Sequence, residues 1–150
     1  MSETVDLVVY SDLDELPRVI EFVRRSCHQA RMTDDAIFAC ELATDEACTN
    51  IIEHAYAGRD DGEIQVSCQV IEDRFVIQFR DHGQPFDPNL IKTPDLTTEL
   101  SQRPVGGLGL HFMRSLMDDV HFKFDHREGN TLIMVKRLSP DAGEAPQPAG

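Results

Sequence analysis

Glu46 and Asn50 lie four residues apart in a stretch, residues 34–57, whose apolar residues recur at three- and four-residue steps. At 3.6 residues per turn, both side chains project from the same side of a helix and can meet one ligand. A carboxylate and a carboxamide suit a magnesium ion that carries nucleotide phosphates, and the carboxylate can also act as a base. The alternative is an ordinary solvated helix face, so the pair needs support from elsewhere in the chain.

Two other segments carry residues typical of ligand-binding loops. Residues 81–88, DHGQPFDP, end a β-rich run, and the sequence then loses its periodicity as far as Gly107. Such a long connection is typical of a lid or binding loop, or else of a disordered insertion. The run GGLGL, residues 106–110, leads into an apolar helical face. Backbone N–H groups at that helix start offer a phosphate site, unless the glycines only make a tight turn.

The elements around these segments predict one fold class. A first strand (4–10) and an amphipathic helix (to 31) precede the long helix, for which Thr33 is a good N-terminal cap. Two strands (63–70 and 74–80), the lid, a helix and a closing hairpin (120–124 and 131–138) follow. This order predicts an α+β two-layer sandwich with a mixed, mainly antiparallel sheet and helices on one face. We expect one domain, residues 1–138, and a disordered tail, residues 139–150.

Composition narrows the classes of function. The chain has 150 residues and a net charge of -13, which disfavours direct binding to nucleic acid or to an anionic membrane. It has no apolar run of membrane-spanning length, and its first residues lack the basic flank of a signal peptide, so we expect a cytoplasmic protein. The four cysteines have no CxxC spacing and are expected to be buried free thiols. The histidines are scattered rather than paired, which argues against a zinc site.

Three separated pieces in one order carry a family resemblance: EACTNIIEHAY (46–56), DHGQPF (81–86) and GGLGL (106–110). Together they resemble the Bergerat ATP-binding fold shared by gyrase-type ATPases, Hsp90, histidine kinases and MutL. The run 50–56 is most similar to the small branch of anti-sigma-factor serine kinases. The resemblance extends over residues 5–138, and it implies ATP and Mg²⁺ as cofactors.

The resemblance also implies roles for individual residues. Asn50 would be the magnesium ligand, and Glu46 the general base that takes the proton of an attacking hydroxyl. Asp81 would accept a hydrogen bond from the adenine amino group, although an Asx-type turn is the alternative for it. Gly83 would let the adenine ring approach, and Thr131 would complete the adenine pocket.

Other implied contacts concern the phosphates. Gly107 and Gly109 would hold them through backbone N–H groups, within a run made of Gly106, Gly107, Leu108, Gly109 and Leu110. Arg103 in the lid could reach the terminal phosphate, or it could be a solvated loop arginine. His54 matches the family pattern, and we interpret it as structural.

The implied function is that of an ATP-dependent protein-serine kinase in a partner-switching module. Such a kinase phosphorylates an anti-sigma-factor antagonist with a STAS fold, and it alternately sequesters a sigma factor or another regulatory protein. The family also suggests a homodimer. One alternative is a non-catalytic module, with or without nucleotide, that only sequesters a regulator; another is a histidine-kinase ATP domain that acts on a separate dimerisation protein.

Overall fold

The computed structural model describes residues 4–85 and 105–138, with side chains from residue 110 onward in the second range. The predicted tail and most of the predicted lid, including Arg103, lie outside these residues. In chain order the elements are β1 (Val5–Tyr10), a 3-10 turn (Leu13–Glu15), α1 (Leu16–Gln29), α2 (Asp34–Asn50), a π-helical turn (Ile51–Ala55), β2 (Glu63–Ile71), β3 (Arg74–Asp81), α3 (Val105–Leu116), β4 (Asp119–Asp125) and β5 (Gly129–Arg137).

The strands form one five-stranded sheet in the order β1-β2-β3-β5-β4. Each of the four pairings between the described strands is antiparallel, so the predicted α+β sandwich is confirmed but the described sheet is not mixed. The chain passes through α3 and β4 before β5, which lies between β3 and β4 and runs antiparallel to both. In β2, β3 and the middle of β5, buried and more exposed residues alternate, as in a sheet with one covered face.

Helix α2 is the central helix of the covering layer, because it packs against both α1 and α3. It begins where the sequence predicts: Thr33 is the N-cap, and its hydroxyl accepts a hydrogen bond from the backbone N–H of Ala36 at 3.2 Å. The predicted apolar stripe is buried throughout, with Ile37, Cys40, Thr44, Ala47, Cys48, Ile51 and Ala55. The stripe therefore leaves Glu46 and Asn50 beside the core rather than within its centre.

The long helix ends differently from the sequence expectation of one regular helix to residue 57. The α-helical bonding stops at Asn50, and the next five residues form a π-helical turn. Its wider spacing appears in the bond from the N–H of Tyr56 to the carbonyl of Ile51, at 3.0 Å. Ala57 and Gly58 then take positive φ angles of 52° and 82° and end the helix. This wider turn sets where Tyr56 lies.

All four cysteines are free and buried, as predicted. Burial raises the pKa values of Cys48 and Cys68 to about 12, so both remain neutral thiols near pH 7. No helix in the described ranges has the length and apolar character needed to cross a lipid bilayer.

Candidate nucleotide-binding site

One cavity lies where α2 meets the ends of β3 and β5. Its wall contains three of the predicted site residues, Asn50, Asp81 and Thr131. The complete lining is Ala47, Asn50, Ile51, Asp81, Met113, Phe122, Phe124, Asn130, Thr131 and Leu132. Residues from α2 and the turn after it, β3, α3, β4 and β5 thus surround one space, and its polar residues come from α2, β3 and β5. This is the usual composition of a small-molecule site.

Asp81 is the last residue of β3, and it is 3% exposed. Its Oδ1 accepts hydrogen bonds from the backbone N–H of Gly83 at 2.9 Å and from Nδ2 of Asn130 at 2.8 Å. The bond from Gly83 makes an Asx-type turn, which was the alternative role expected for Asp81. Asp81 therefore forms this turn and also lines the cavity. Burial raises the pKa of Asp81, while the bonds from Asn130 and Gly83 and the nearby His82 oppose that rise.

Asn130 is a site residue that the sequence reasoning missed. It lies directly across from Asp81 in the register of β3 and β5, and it is 4% exposed. Its Nδ2 also donates to the backbone oxygen of Gly83 at 3.1 Å. The pairing joins residues separated by 49 positions, and no short-range pattern specifies which residue of β5 faces Asp81. Thr131 follows on the same strand, where it pairs with Arg80 and Lys123.

Asn130 and Thr131 are neighbours on β5, so their side chains point to opposite faces of the sheet. Successive side chains of a strand point to opposite faces, so the bond from Asn130 to Asp81 places the Thr131 side chain on the other face of the sheet. Thr131 still borders the cavity. Asn130, and not Thr131, is therefore the β5 residue whose side chain contacts Asp81.

Position 83 requires a glycine for a packing reason, in addition to the expected approach of the adenine ring. A Cβ at this position would collide with the backbone carbonyl of Ala55, at the end of the π-helical turn. The following residue continues this close approach, because the N–H of Gln84 donates to the Ala55 oxygen at 2.7 Å and its side-chain amide donates to the His54 oxygen at 3.0 Å. The segment after β3 is thus fastened to the end of the helix.

Through its hydroxyl group, Tyr56 links the end of the π-helical turn to the start of β2 and to the residue after β3. That hydroxyl donates to the backbone oxygen of Glu63, at the start of β2, and accepts from the backbone N–H of His82 at 2.8 Å. Its ring lies so close to Gly62 that a Cβ there would overlap it. The sequence offered Tyr56 only as part of a motif, without a role. The structure makes it a bridge between the helix end and the residue that follows Asp81.

Glu46 and Asn50 form the other end of the site. Asn50 is 6% exposed and lines the cavity, whereas Glu46 is half-buried and lies one helical turn earlier, outside the lining. Burial raises the pKa of Glu46, and the negative charges of Asp45 and Glu53 raise it further. A carboxylate with a raised pKa near a cavity is suited to accept a proton.

The donors at this end fit a magnesium ion that is coordinated mainly by its nucleotide. Within the described residues, no group of three or more His, Cys, Asp or Glu side chains is placed to enclose a metal. The Asn50 amide makes no hydrogen bond to another described residue. Mg²⁺ in phosphate sites typically takes one or two protein oxygens, with phosphate oxygens and water completing its octahedron. A single amide oxygen from Asn50 meets that need.

The glycine run lies at the start of α3, as predicted. Because α3 begins at Val105, Gly106 and Gly107 fall in its first turn, where N–H groups have no acceptor within the helix. Gly109 lies in the second turn, where a regular helix pairs its N–H with the carbonyl of residue 105. The first-turn glycines are therefore better placed than Gly109 to contact an anion. Leu110 is 8% exposed and packs in the core.

The family described as "Histidine kinase-like ATPase domain" matches residues 9–136. The chain belongs to this family. The serine-protein kinase RsbW of Bacillus cereus (strain B4264) is 38% identical over 114 residues, which are 73% of this chain and 69% of that protein. RsbW of Listeria monocytogenes serotype 4a (strain HCC23) is 34% identical over 115 residues, 74% of this chain and 72% of the relative.

A solved structure extends the likeness to nearly the whole fold. The crystal structure of the RsbU and RsbW domains of Rv1364c from Mycobacterium tuberculosis has a TM-score of 0.66 and 18% identity. The match includes 96% of this chain and 35% of that longer chain. At this identity the likeness supports the fold alone. The sequence relatives place this histidine kinase-like ATPase domain in the RsbW branch, as the motifs predicted.

Within this family's fold, the two ends of the cavity offer different chemistry. At the β3 and β5 end, a buried carboxylate and a carboxamide can recognise a base by hydrogen bonds. At the α2 end, the amide oxygen of Asn50 can bind a metal, and the carboxylate of Glu46, one helical turn outside the lining, can accept a proton. An ATP molecule has its base and its phosphates at opposite ends, so these two kinds of chemistry correspond to its two ends.

Proposed function

We propose that the protein is an ATP-dependent serine-protein kinase that also acts as an anti-sigma factor. The observation that carries the proposal is the cavity that brings Asn50 and Asp81 together from distant parts of the chain. The RsbW relatives, named as serine-protein kinases, support the same reading. A module that only sequesters a partner has no chemical need for Glu46 and Asn50 at one helical turn.

The roles of the residues follow from their positions. Asp81 accepts a hydrogen bond from the amino group of adenine, which sets the register of the nucleotide in the cavity. Asn50 provides an oxygen for Mg²⁺, which neutralises charge on the phosphates when it is bound. Backbone N–H groups of the first turn of α3 face the phosphates. Positioning and electrostatic stabilisation then account for most of the rate gain.

Glu46 completes the transfer by taking a proton. The serine oxygen of the substrate forms a bond to the γ-phosphorus, the bond from that phosphorus to the bridging oxygen breaks, and ADP leaves with the electron pair. The hydroxyl proton passes to the Glu46 carboxylate. The raised pKa of Glu46 brings it closer to neutral pH, which favours this proton transfer.

The partners and the setting belong to the same proposal. The substrate is a STAS-domain anti-sigma-factor antagonist, and the sequestered partner is a sigma factor or another regulatory protein. Phosphorylation releases the antagonist and leaves the kinase free to bind its other partner. We further propose that the protein acts as a homodimer in the cytoplasm and that it does not bind nucleic acid directly, in keeping with its net charge of -13.

Calorimetric titration of ATP and ADP, with and without Mg²⁺, tests the proposal. The wild type should bind both nucleotides in a magnesium-dependent manner, and Asn50→Ala should lose that dependence. Thr49→Ala is the matched control, because Thr49 is the preceding residue on α2 and its hydroxyl bonds only weakly, to Asp45 at 3.4 Å. Absence of binding by the wild type would overturn the kinase reading and favour the purely sequestering module.

A further inference from the structure

The side-chain amide of Asn130 contacts two oxygen atoms at the end of the cavity that β3 and β5 form. We call this the base end, because the adenine base is proposed to bind there. Its Nδ2 lies 2.8 Å from Oδ1 of Asp81 and 3.1 Å from the backbone oxygen of Gly83. An NH₂ group has two hydrogens, so each oxygen can receive one. Asn130 therefore holds the carboxylate and the turn that follows it in one fixed arrangement.

The orientation of this amide follows from the chemistry of its neighbours. A backbone carbonyl and an ionised carboxylate can only accept hydrogen bonds. The reversed amide would place its oxygen against both of them and would lose both bonds. Nδ2 is consequently the atom that faces Asp81 and Gly83.

Both bonds that Asp81 accepts from described residues go to the same oxygen, Oδ1. Among the described residues, Oδ2 has no hydrogen-bond donor. With one oxygen fixed by Asn130 and Gly83, the carboxylate cannot exchange its two oxygens without breaking two hydrogen bonds. The remaining oxygen is then an acceptor of fixed direction on the cavity wall.

We propose that Asn130 is a positioning residue that makes the site selective for 6-aminopurines over 6-oxopurines, a proposal that rests on the proposed binding of ATP. An ionised, fixed carboxylate accepts from the 6-amino group of adenine and repels the lone pairs of a 6-oxo group. Without Asn130, the carboxyl group can turn or take up a proton. A protonated carboxyl group donates to a 6-oxo group and no longer rejects it.

The hydrogen bond from Asn130 also favours the ionised form of Asp81. Burial raises the pKa of this carboxyl, and Asn130 provides the largest opposing contribution, ahead of the N–H of Gly83 and the charge of His82. The other titratable group that faces Asp81 in the described structure is the Tyr56 hydroxyl, which is fixed between Glu63 and His82. Loss of Asn130 should therefore let Asp81 take up a proton at a higher pH.

The test is the ratio of the dissociation constants of ITP and ATP, measured by calorimetry with Mg²⁺ for the full chain. Both nucleotides carry the same triphosphate, so contributions from phosphate and metal cancel in the ratio. The wild type should prefer ATP by about 100-fold or more, because a site that hydrogen-bonds one group rejects the analogue that lacks it. Asn130→Ala should lower the ratio by about ten- to hundredfold. An unchanged ratio in folded Asn130→Ala would overturn the proposal.

Asn130→Asp provides a variant of nearly equal volume with a distinct pH signature. Two adjacent carboxyl groups share a proton as the pH falls, and that proton can replace the lost amide donor. The preference of this variant for ATP should therefore increase as the pH is lowered and the carboxyl pair takes up a proton, whereas that of the wild type should decrease as the pH falls through the pKa of Asp81. If Asn130 acts only in folding, the ATP preference of Asn130→Asp and that of the wild type should change with pH in the same direction. That result would overturn the proposal, and it can be obtained even if Asn130→Ala does not fold.

Two further variants separate this inference from the proposed function. Val135→Ala alters β5 at a half-buried position away from the cavity, and it should leave the ratio unchanged. Asp81→Ala should abolish the preference for ATP. If Asp81→Ala removes the preference and Asn130→Ala retains it, the positioning role fails while the adenine assignment stands. If the wild type binds neither nucleotide, both proposals fail together.

Discussion

The two ends of the cavity differ in how completely the protein fixes them. At the base end, Asp81 and Gly83 are fastened by Asn130, by the end of the π-helical turn and by the bridge that Tyr56 makes to His82. At the metal end, the Asn50 amide makes no hydrogen bond to another described residue, and Glu46 is half-buried beside like charges. Under the proposed function, the contrast means that the contacts for the adenine base are built in advance, whereas the phosphate-transfer end depends on charge.

The largest expected effect tests the reactive end. Glu46→Gln should reduce phosphoryl transfer by about 10²–10⁴-fold, the usual contribution of a general base, and should leave the affinity for ATP nearly unchanged. Radiolabelled phosphate transfer to the substrate protein and calorimetry with ATP measure the two effects separately. Equal losses in affinity and transfer would contradict the assignment.

Asp45→Asn is the matched control for this variant. Asp45 precedes Glu46 and raises its pKa, so removal of the Asp45 charge should lower that pKa. Glu46 acts as a base only when it is ionised, so transfer declines as the pH falls through its pKa. The control should therefore keep the full rate at neutral pH and move the acid limb of the rate profile to lower pH.

A smaller effect tests whether the base end is rigid. Gly83→Ala places a methyl group against the backbone of Ala55, and overpacking of this kind costs about 1–3 kcal/mol of stability. ATP affinity should fall as well, because Asp81 accepts its turn bond from Gly83. Urea denaturation and calorimetry measure the two losses.

Gly58→Ala is the corresponding control. Gly58 has a φ of 82° but no atom within 4 Å of an added Cβ, so only backbone strain of about 1 kcal/mol is expected. Nucleotide affinity should not change. If both variants weaken ATP binding equally, the close contact at Ala55 does not position the site.

The smallest effect concerns the bridge at Tyr56. Tyr56→Phe keeps the ring on Gly62 but removes the hydroxyl from Glu63 and His82, which should lower the free energy of unfolding by about 1 kcal/mol. ATP affinity should fall slightly while the rate of transfer at saturating ATP stays the same. Tyr10→Phe is the control, because Tyr10 is 56% exposed and its change should have little effect on stability.

Sequence reasoning predicted the features that depend on local patterns. The cap at Thr33 and the buried stripe of α2 follow from residues within a few turns of each other, and they are confirmed. The pairing of Glu46 with Asn50 on one side of the helix is local as well. The family resemblance then predicted that Asp81 belongs to the same site as Asn50, and both residues line one cavity.

The features that the sequence did not predict depend on distant contacts. The partner of Asp81 is set by the register between β3 and β5, and the need for Gly83 comes from the carbonyl of Ala55. The π-helical turn after Asn50 was not predicted either, because a regular helix satisfies the local pattern equally well; the carbonyls at its end accept hydrogen bonds from Gln84, which is distant in the sequence. The roles of Arg103 and of the lid stay predictions, because these residues lie outside the described ranges.

The bond between Asp81 and Asn130 has a consequence for the order in which the chain acquires its structure. β2 and β3 join through a two-residue turn at Glu72 and Asp73 and can pair quickly, but β5 follows α3 and β4 and is distant from β3 in the sequence. We therefore expect this last strand to join the sheet late. During synthesis the ribosome must release β5 before Asp81 can bond to Asn130, so a nascent chain that ends at α3 already carries Glu46 and Asn50 but lacks the β5 side of the cavity.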